Sequence, residues 1–153
     1  VPMGVVLVSD VVHDAFAQGP DNAIDLFHGY TYSGHPLACA AAIATLDTYA
    51  EENLFDKAIE LGDYWQEGIH SLKGLPNVID IRNYGLIGAI ELAARPGAPG
   101  TRGYDAFNRA FNQGNLLTRV TGDTIALSPP LIVEKSHIDR IFETLADTLR
   151  ATA

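Results

Sequence analysis

The chain of 153 residues has a single cysteine, Cys39, so no disulfide can close within it and a small disulfide-stapled scaffold is excluded. It has no apolar run near the ~20 residues that a bilayer-crossing helix needs. Positive charge is scarce: ten Lys and Arg against 19 Asp and Glu give a net charge of -9 and a sequence pI near 4.8. With no basic cluster to offset that charge, a phosphodiester backbone would be repelled, and nucleic acid is not an expected partner. The five histidines (His13, His28, His35, His70, His137) lack any H-E-x-x-H spacing, and with one cysteine no metal site is expected. Ser33 is not framed by G-x-S-x-G, which removes the signature of a serine hydrolase. There is no internal repeat or low-complexity tract. These absences lead us to expect a soluble, reduced, cytoplasmic protein with neither a membrane nor a nucleic acid as partner.

At 47% apolar content the chain can build an ordinary globular core, and its most informative stretch is His28-Gly29-Tyr30-Thr31-Tyr32-Ser33-Gly34-His35-Pro36, running into Leu37-Ala38-Cys39-Ala40-Ala41-Ala42. Pro36 suits a first helical turn, where its missing N–H would have had no partner, and the alanines that follow favour helix. Thr31, Tyr32 and Ser33 place hydroxyls just ahead of that helix, and Gly29 and Gly34 let the backbone come close. A helix N-terminus with such a loop is chemically an anion cradle, and phosphate is its natural guest. The same pattern also serves plain capping.

Taken in order, Gly4-Val5-Val6-Leu7-Val8-Ser9 is a continuous β-branched apolar run, expected as a strand buried on both faces. A short helix is expected from Asp10 to Gln18, ended by Gly19-Pro20, and a longer one from Leu37 to about Glu52. A further helix over 54–72 would bury Phe55, Ala58, Ile59, Trp65, Ile69 and Leu72 as one stripe, leaving His70 at the surface. Residues 78–82 and 86–92 read as a hairpin about Asn83-Tyr84-Gly85, and 116–120 and 124–128 as two more strands about Thr121-Gly122-Asp123. Between them lies a helix expected to turn Tyr104, Phe107 and Phe111 inward. A final helix opens near Ser136, with Ser136 and Asp139 approximating a capping box, and buries Ile138, Ile141, Phe142, Leu145 and Leu149. A domain change is expected near residue 52.

The string 28–42, HGYTYSGHPLACAAA, resembles the segment that follows the cofactor lysine in class III (omega) aminotransferases, pyridoxal-phosphate enzymes of fold type I. Ornithine-type and 4-aminobutyrate-type members tend to read T-F-G-G-N-P here, and glutamate-semialdehyde mutases T-L-S-G-N-P. Thr31 to Pro36, T-Y-S-G-H-P, is similar instead to the omega-amino-acid:pyruvate (β-alanine:pyruvate) branch. The resemblance implies an α/β fold: residues 1–52 as the C-terminal part of the large, pyridoxal-phosphate-binding domain, and 53–153 as the α+β small domain. It implies pyridoxal 5'-phosphate as cofactor, with Thr31 and the backbone N–H groups of Tyr30 and Thr31 holding its phosphate across a dimer interface, hence a homodimer or homotetramer.

Val1-Pro2-Met3-Gly4 resembles the turn a few residues after the Schiff-base lysine. That lysine is therefore expected upstream of Val1, in a longer polypeptide, and no catalytic residue is assigned within this chain. The nearest lysine, Lys57, sits in a charged helical context and is not a candidate. Arg119 is the second side chain to single out, since a guanidinium matches a carboxylate at two points. The string Arg119 to Pro130, RVTGDTIALSPP, resembles the one that carries a mobile arginine in the amine:pyruvate branch, gripping the substrate carboxylate and swinging out for an apolar amine. Branches using 2-oxoglutarate usually place an arginine where Ala126 stands. The expected activity is transfer of an amino group from an omega-amino acid or amine to pyruvate, giving alanine. Two alternatives stay open: a non-catalytic binding or dimerisation module that retains the scaffold, and a 2-oxoglutarate-dependent member of the class.

Overall fold

The computed structural model describes residues 1–22 and 31–152, and its backbone falls into two compact units, Val1–Glu52 and Asn53–Ala153. The first contains α1 (Asp10–Phe16) and α2 (Pro36–Glu51). Asp10 places negative charge in the first turn of α1. In α2, Pro36 occupies the first turn as its sequence predicts, and Thr45 and Thr48 donate back to the Ala41 and Ala44 carbonyls at 2.8 Å. The expected strand Gly4–Ser9 is not formed. A strand needs hydrogen-bonded neighbours, and among the described residues none pairs with this run, which leaves Val6 and Leu7 exposed.

The second unit is two-layered: one antiparallel sheet with helices on one face. After α3 (Leu54–Glu60) and α4 (Gly62–His70), the chain lays down β1 (Val78–Tyr84) and β2 (Ile87–Leu92), then α5 (Thr101–Gly114), β3 (Arg119–Thr121), β4 (Thr124–Leu127) and α6 (Lys135–Ala151). The strand order is β1-β2-β4-β3, so β2 and β4 are central and β3 is an edge. Both hairpins turn where glycine permits a positive φ, at Gly85 (51°) and Gly122 (58°).

Alternation along the strands sends Gly88, Ile90 and Leu92 of β2 and Ile125 and Leu127 of β4 to the helical side. They meet Trp65, Ile69 and Leu72 from the α4 region, Ala106 from α5, and Ile138, Phe142, Leu145 and Leu149 from α6. Trp65 and Phe142 pack edge to face with ring centroids 4.9 Å apart. Tyr64 donates to Asp139 across α4 and α6, a bond that raises the Tyr64 hydroxyl above its ordinary pKa.

Three expectations for this unit are corrected. The helix over 54–72 is interrupted at Leu61, ahead of Gly62, and although Trp65, Ile69 and Leu72 are buried, Phe55 and Ile59 are exposed; Leu54 is the buried residue of α3. In α5 the inward residues are Gly103, Ala106 and Ala110, while Tyr104 and Phe111 are exposed and stack along the surface with Phe107 between them, centroids 6.4 Å apart at each step. The box that opens α6 is built two residues earlier than expected. Glu134 is the N-cap, its side chain taking the N3 backbone N–H while the His137 ring accepts from the Glu134 N–H at 3.2 Å.

Candidate functional site

Two regions carry the residues singled out from the sequence, one in each unit. In the first, Thr31 to Gly34 form a turn, with Gly34 at φ 68°, and α2 starts two residues later. Thr31, Tyr32 and Ser33 are all exposed. The first helical bond of α2 runs from the Cys39 N–H to the His35 carbonyl at 2.9 Å, which leaves the Leu37 and Ala38 N–H groups at the open end of the helix. Among the described residues no side chain caps that end, and its first turn holds no acidic residue. Tyr30 and His28 lie outside the described residues.

A phosphate group fits this terminus. It would meet free N–H donors, the positive end of a helix of 16 residues and nearby hydroxyls, with no carboxylate between Thr31 and Cys39 to repel it. Residues 1–52 contain no lysine.

In the second unit Arg119 opens the edge strand β3 and pairs in register with Ala126 of β4; Ala126 faces Ala89 of β2, which faces Arg82 of β1. Because Ile125 and Leu127 point inward, this row lies on the opposite face of the sheet. The two guanidiniums at its ends differ in environment. Arg82 binds Asp80 and, at 2.8 Å, Glu91, and the Glu91 bond is the larger cause of its raised pKa. Arg119 is exposed and has no hydrogen-bond or ion-pair partner among the described residues. Its strand neighbour is an alanine, so its side chain has room to swing. The structure thus gives Arg119 a free fork, where Arg82 is a neutralised structural ion.

Arg119 and Ala126 are among the residues that line a cavity of about 390 Å³, together with Leu116, Leu117, Pro129, Trp65 and Ile141. Two of the lining residues, Thr118 and Trp65, have a buried polar atom, Oγ1 and Nε1, with no hydrogen-bond partner among the described residues. Neither was singled out from the sequence, where Thr118 is one strand residue among several and Trp65 reads as core. Elsewhere among the described residues no group of three or more His, Cys, Asp or Glu side chains is placed to hold a metal ion. No described helix is long and apolar enough to cross a membrane.

Residues 1–149 match the family model of the class-III aminotransferases. An omega-aminotransferase of Caulobacter vibrioides is 56% identical over 149 residues, 97% of this chain and 34% of that protein. A β-alanine–pyruvate aminotransferase of Pseudomonas aeruginosa is 41% identical over 155 residues, 100% of this chain and 34% of that one. A mitochondrial γ-aminobutyrate transaminase 1 of Oryza sativa subsp. indica is 36% identical, over 99% of this chain and 30% of its own length. Among solved structures, a thermostable omega transaminase from Pseudomonas jessenii superposes with a TM-score of 0.77 at 34% identity, covering 94% of this chain and 32% of that one. The chain spans about a third of the length of the curated relatives it matches. It belongs to the class-III aminotransferases, a family of pyridoxal-phosphate-dependent enzymes.

Proposed function

We propose that this chain is the cofactor-phosphate and substrate-carboxylate portion of an omega-amino-acid:pyruvate aminotransferase. The observation that carries the reading is that Arg119, whose guanidinium has no partner among the described residues, pairs with Ala126 and lines a largely apolar cavity with it. An amine donor of the β-alanine type would give up its amino group, and pyruvate would take it to become alanine. Bound pyridoxal phosphate supplies the carbonyl that receives the amino group and the ring that delocalises the electrons of the cleaved C–H bond.

The chain's own residues bind and orient. Thr31, with its own and the Tyr30 backbone N–H, holds the cofactor phosphate, and residues 1–52 act as part of the large domain. Arg119, in the small domain of residues 53–153, takes the carboxylate of pyruvate or β-alanine in a two-point grip and swings aside for an amine that carries none. The lysine that moves the proton is assigned upstream of Val1, and this segment alone is expected to be inactive. Sharing the phosphate site across two subunits requires a homodimer or homotetramer, and the working location is cytoplasmic.

One comparison favours a second reading. The 36% identity with a γ-aminobutyrate transaminase leaves a different amino acceptor, such as 2-oxoglutarate, as the alternative within the class. Side-by-side assay of pyruvate and 2-oxoglutarate separates the two, and preference for 2-oxoglutarate would reject the pyruvate branch. Arg119→Ala in the full-length polypeptide tests the carboxylate role. Loss confined to pyruvate and β-alanine, with a simple arylalkylamine half-reaction spared, is expected; equal loss for all three would sink it.

A further inference from the structure

We infer that Asp123 is a positioning residue for Arg119: it moors the β3–β4 turn to the start of α5 and the end of β2, and so fixes the strand from which the guanidinium projects. The inference rests on the carboxylate role proposed for Arg119.

The strand β3 has three residues and lies at the sheet edge, with ladder bonds, among the described residues, to β4 alone. Such a strand has little to hold it, and its placement depends on how its turn is anchored. Asp123 supplies that anchor in three directions. Its Oδ2 accepts from the Gly100 N–H at 2.6 Å, its Oδ1 from the Gly103 N–H at 2.9 Å, and its backbone carbonyl from the Leu92 N–H at 2.9 Å. The N-cap position of α5 is Gly100, which has no side chain, and the carboxylate of Asp123 does the capping from the adjoining hairpin.

The packing leaves the turn no slack. A Cβ on Gly103 would lie 2.5 Å from the Gly122 carbonyl oxygen and 2.9 Å from the Asp123 Cα, so turn and helix are in backbone contact. Arg102 braces the same corner from the other side, with Nε on the Ala93 carbonyl at 2.8 Å and Nη1 on the Thr152 carbonyl at 3.0 Å. The N–H donors of Gly100 and Gly103 hold the Asp123 carboxyl below the usual carboxylate range, which agrees with an ionised cap. Asp123 does not line the cavity at Arg119, and its influence has to pass through Val120 and Thr121 of the strand.

The test uses the full-length polypeptide loaded with pyridoxal phosphate, comparing wild type, Asp123→Ala, Asp123→Asn, Arg119→Ala and the Asp123→Ala/Arg119→Ala double variant. Asp123→Ala is expected to raise KM for pyruvate about tenfold and to leave the arylalkylamine half-reaction within about twofold, because small displacements of an orienting group are costly only for the substrate it holds. Asp123→Asn, which keeps one acceptor oxygen, should fall between. In the double variant the pyruvate loss should not exceed that of Arg119→Ala, since both changes remove one grip. Amide hydrogen exchange provides a readout independent of activity: Gly100 and Gly103 should lose protection in Asp123→Ala.

Faster exchange combined with equal losses for pyruvate and amine, or losses that simply add in the double variant, would reduce Asp123 to a helix cap and overturn the inference. If Arg119→Ala itself spares pyruvate, the carboxylate reading falls and takes the inference with it, while the exchange data still report whether the turn is moored. Should Asp123→Ala not fold, Asp123→Asn carries the comparison, and a loss there without carboxylate selectivity overturns it equally.

Discussion

Gly88 of β2 lies directly beneath Ile69 of α4: a Cβ built on the glycine would stand 2.4 Å from Ile69 Cδ1 and 3.3 Å from Trp65 Nε1. The glycine is what allows the helix layer to close on the sheet at its centre. Gly88→Ala should therefore destabilise by about 1–3 kcal/mol through overpacking, and Ile69→Val in the same chain should restore part of it by removing the clashing methyl. Urea midpoints of the two variants and their combination check this. A Gly88→Ala midpoint equal to wild type would mean that the helix layer yields without cost.

The opening of α6 depends on a reciprocal pair, Glu134 capping the N3 N–H and the His137 ring accepting from the Glu134 N–H. Glu134→Ala removes one half of it and leaves a helix whose first turn has no acidic residue. A loss of about 0.5–2 kcal/mol is expected, measurable by thermal or denaturant unfolding, with Glu134→Asp recovering most of it because a shorter carboxylate is a good N-cap.

How legible these features were in the sequence varied with what set them. The hairpin turns were readable because Gly85 and Gly122 supply backbone conformations that other residues resist. The inward faces of β2 and β4 follow once the strands are placed, because alternation sends Ile90, Leu92, Ile125 and Leu127 to the helical side. The face of α5 was not readable in the same way. Tyr104, Phe107 and Phe111 sit one position after Gly103, Ala106 and Ala110, so one period fits two neighbouring stripes. What decides between them is space: α5 touches the β3–β4 turn at Gly103, and a Cβ on Gly114 would lie 2.2 Å from Thr144 Cγ2 of α6, so only small residues fit inward. Hydrophobicity cannot rank the stripes when clearance does. The Gly4–Ser9 run fails for a different reason, since a buried-strand pattern needs neighbouring strands that the described residues do not provide. Thr31 and Arg119 were singled out through helix-start chemistry, the guanidinium's two-point match and residue order, while Thr118 and Asp123 became visible only when their surroundings were known.

Asp123 gives a prediction about acid sensitivity with a definite sign. Its folded carboxyl titrates below the unfolded value because the Gly100 and Gly103 N–H groups favour the charged form. The stability it contributes is thus fully present above the unfolded carboxylate value of about 3.9 and is lost as pH falls through the lower folded value. Asp123→Asn should remove that part of the acid limb. Unfolding free energy measured from neutral pH downward should fall less steeply below about pH 4 in the variant, and parallel limbs would mean that the bonds of Asp123 do not depend on its charge.

Arg119→Lys separates charge from geometry. Both side chains are cations in this acidic chain, yet lysine offers a point charge where arginine offers a planar fork that meets a carboxylate at two points, and the alanine at 126 cannot supply the missing donor. If the site works by general attraction of anions, the lysine variant should behave like wild type and both should weaken together as salt rises. If it works by two-point recognition, the lysine variant should lose about tenfold or more in kcat/KM for pyruvate, with KM carrying most of the change and the arylalkylamine half-reaction unaltered. We expect the second result. The deciding measurement is the ratio of pyruvate to arylalkylamine specificity at two ionic strengths: a ratio that falls in the variant by the same factor at both is the mark of lost geometry, since screening would change it.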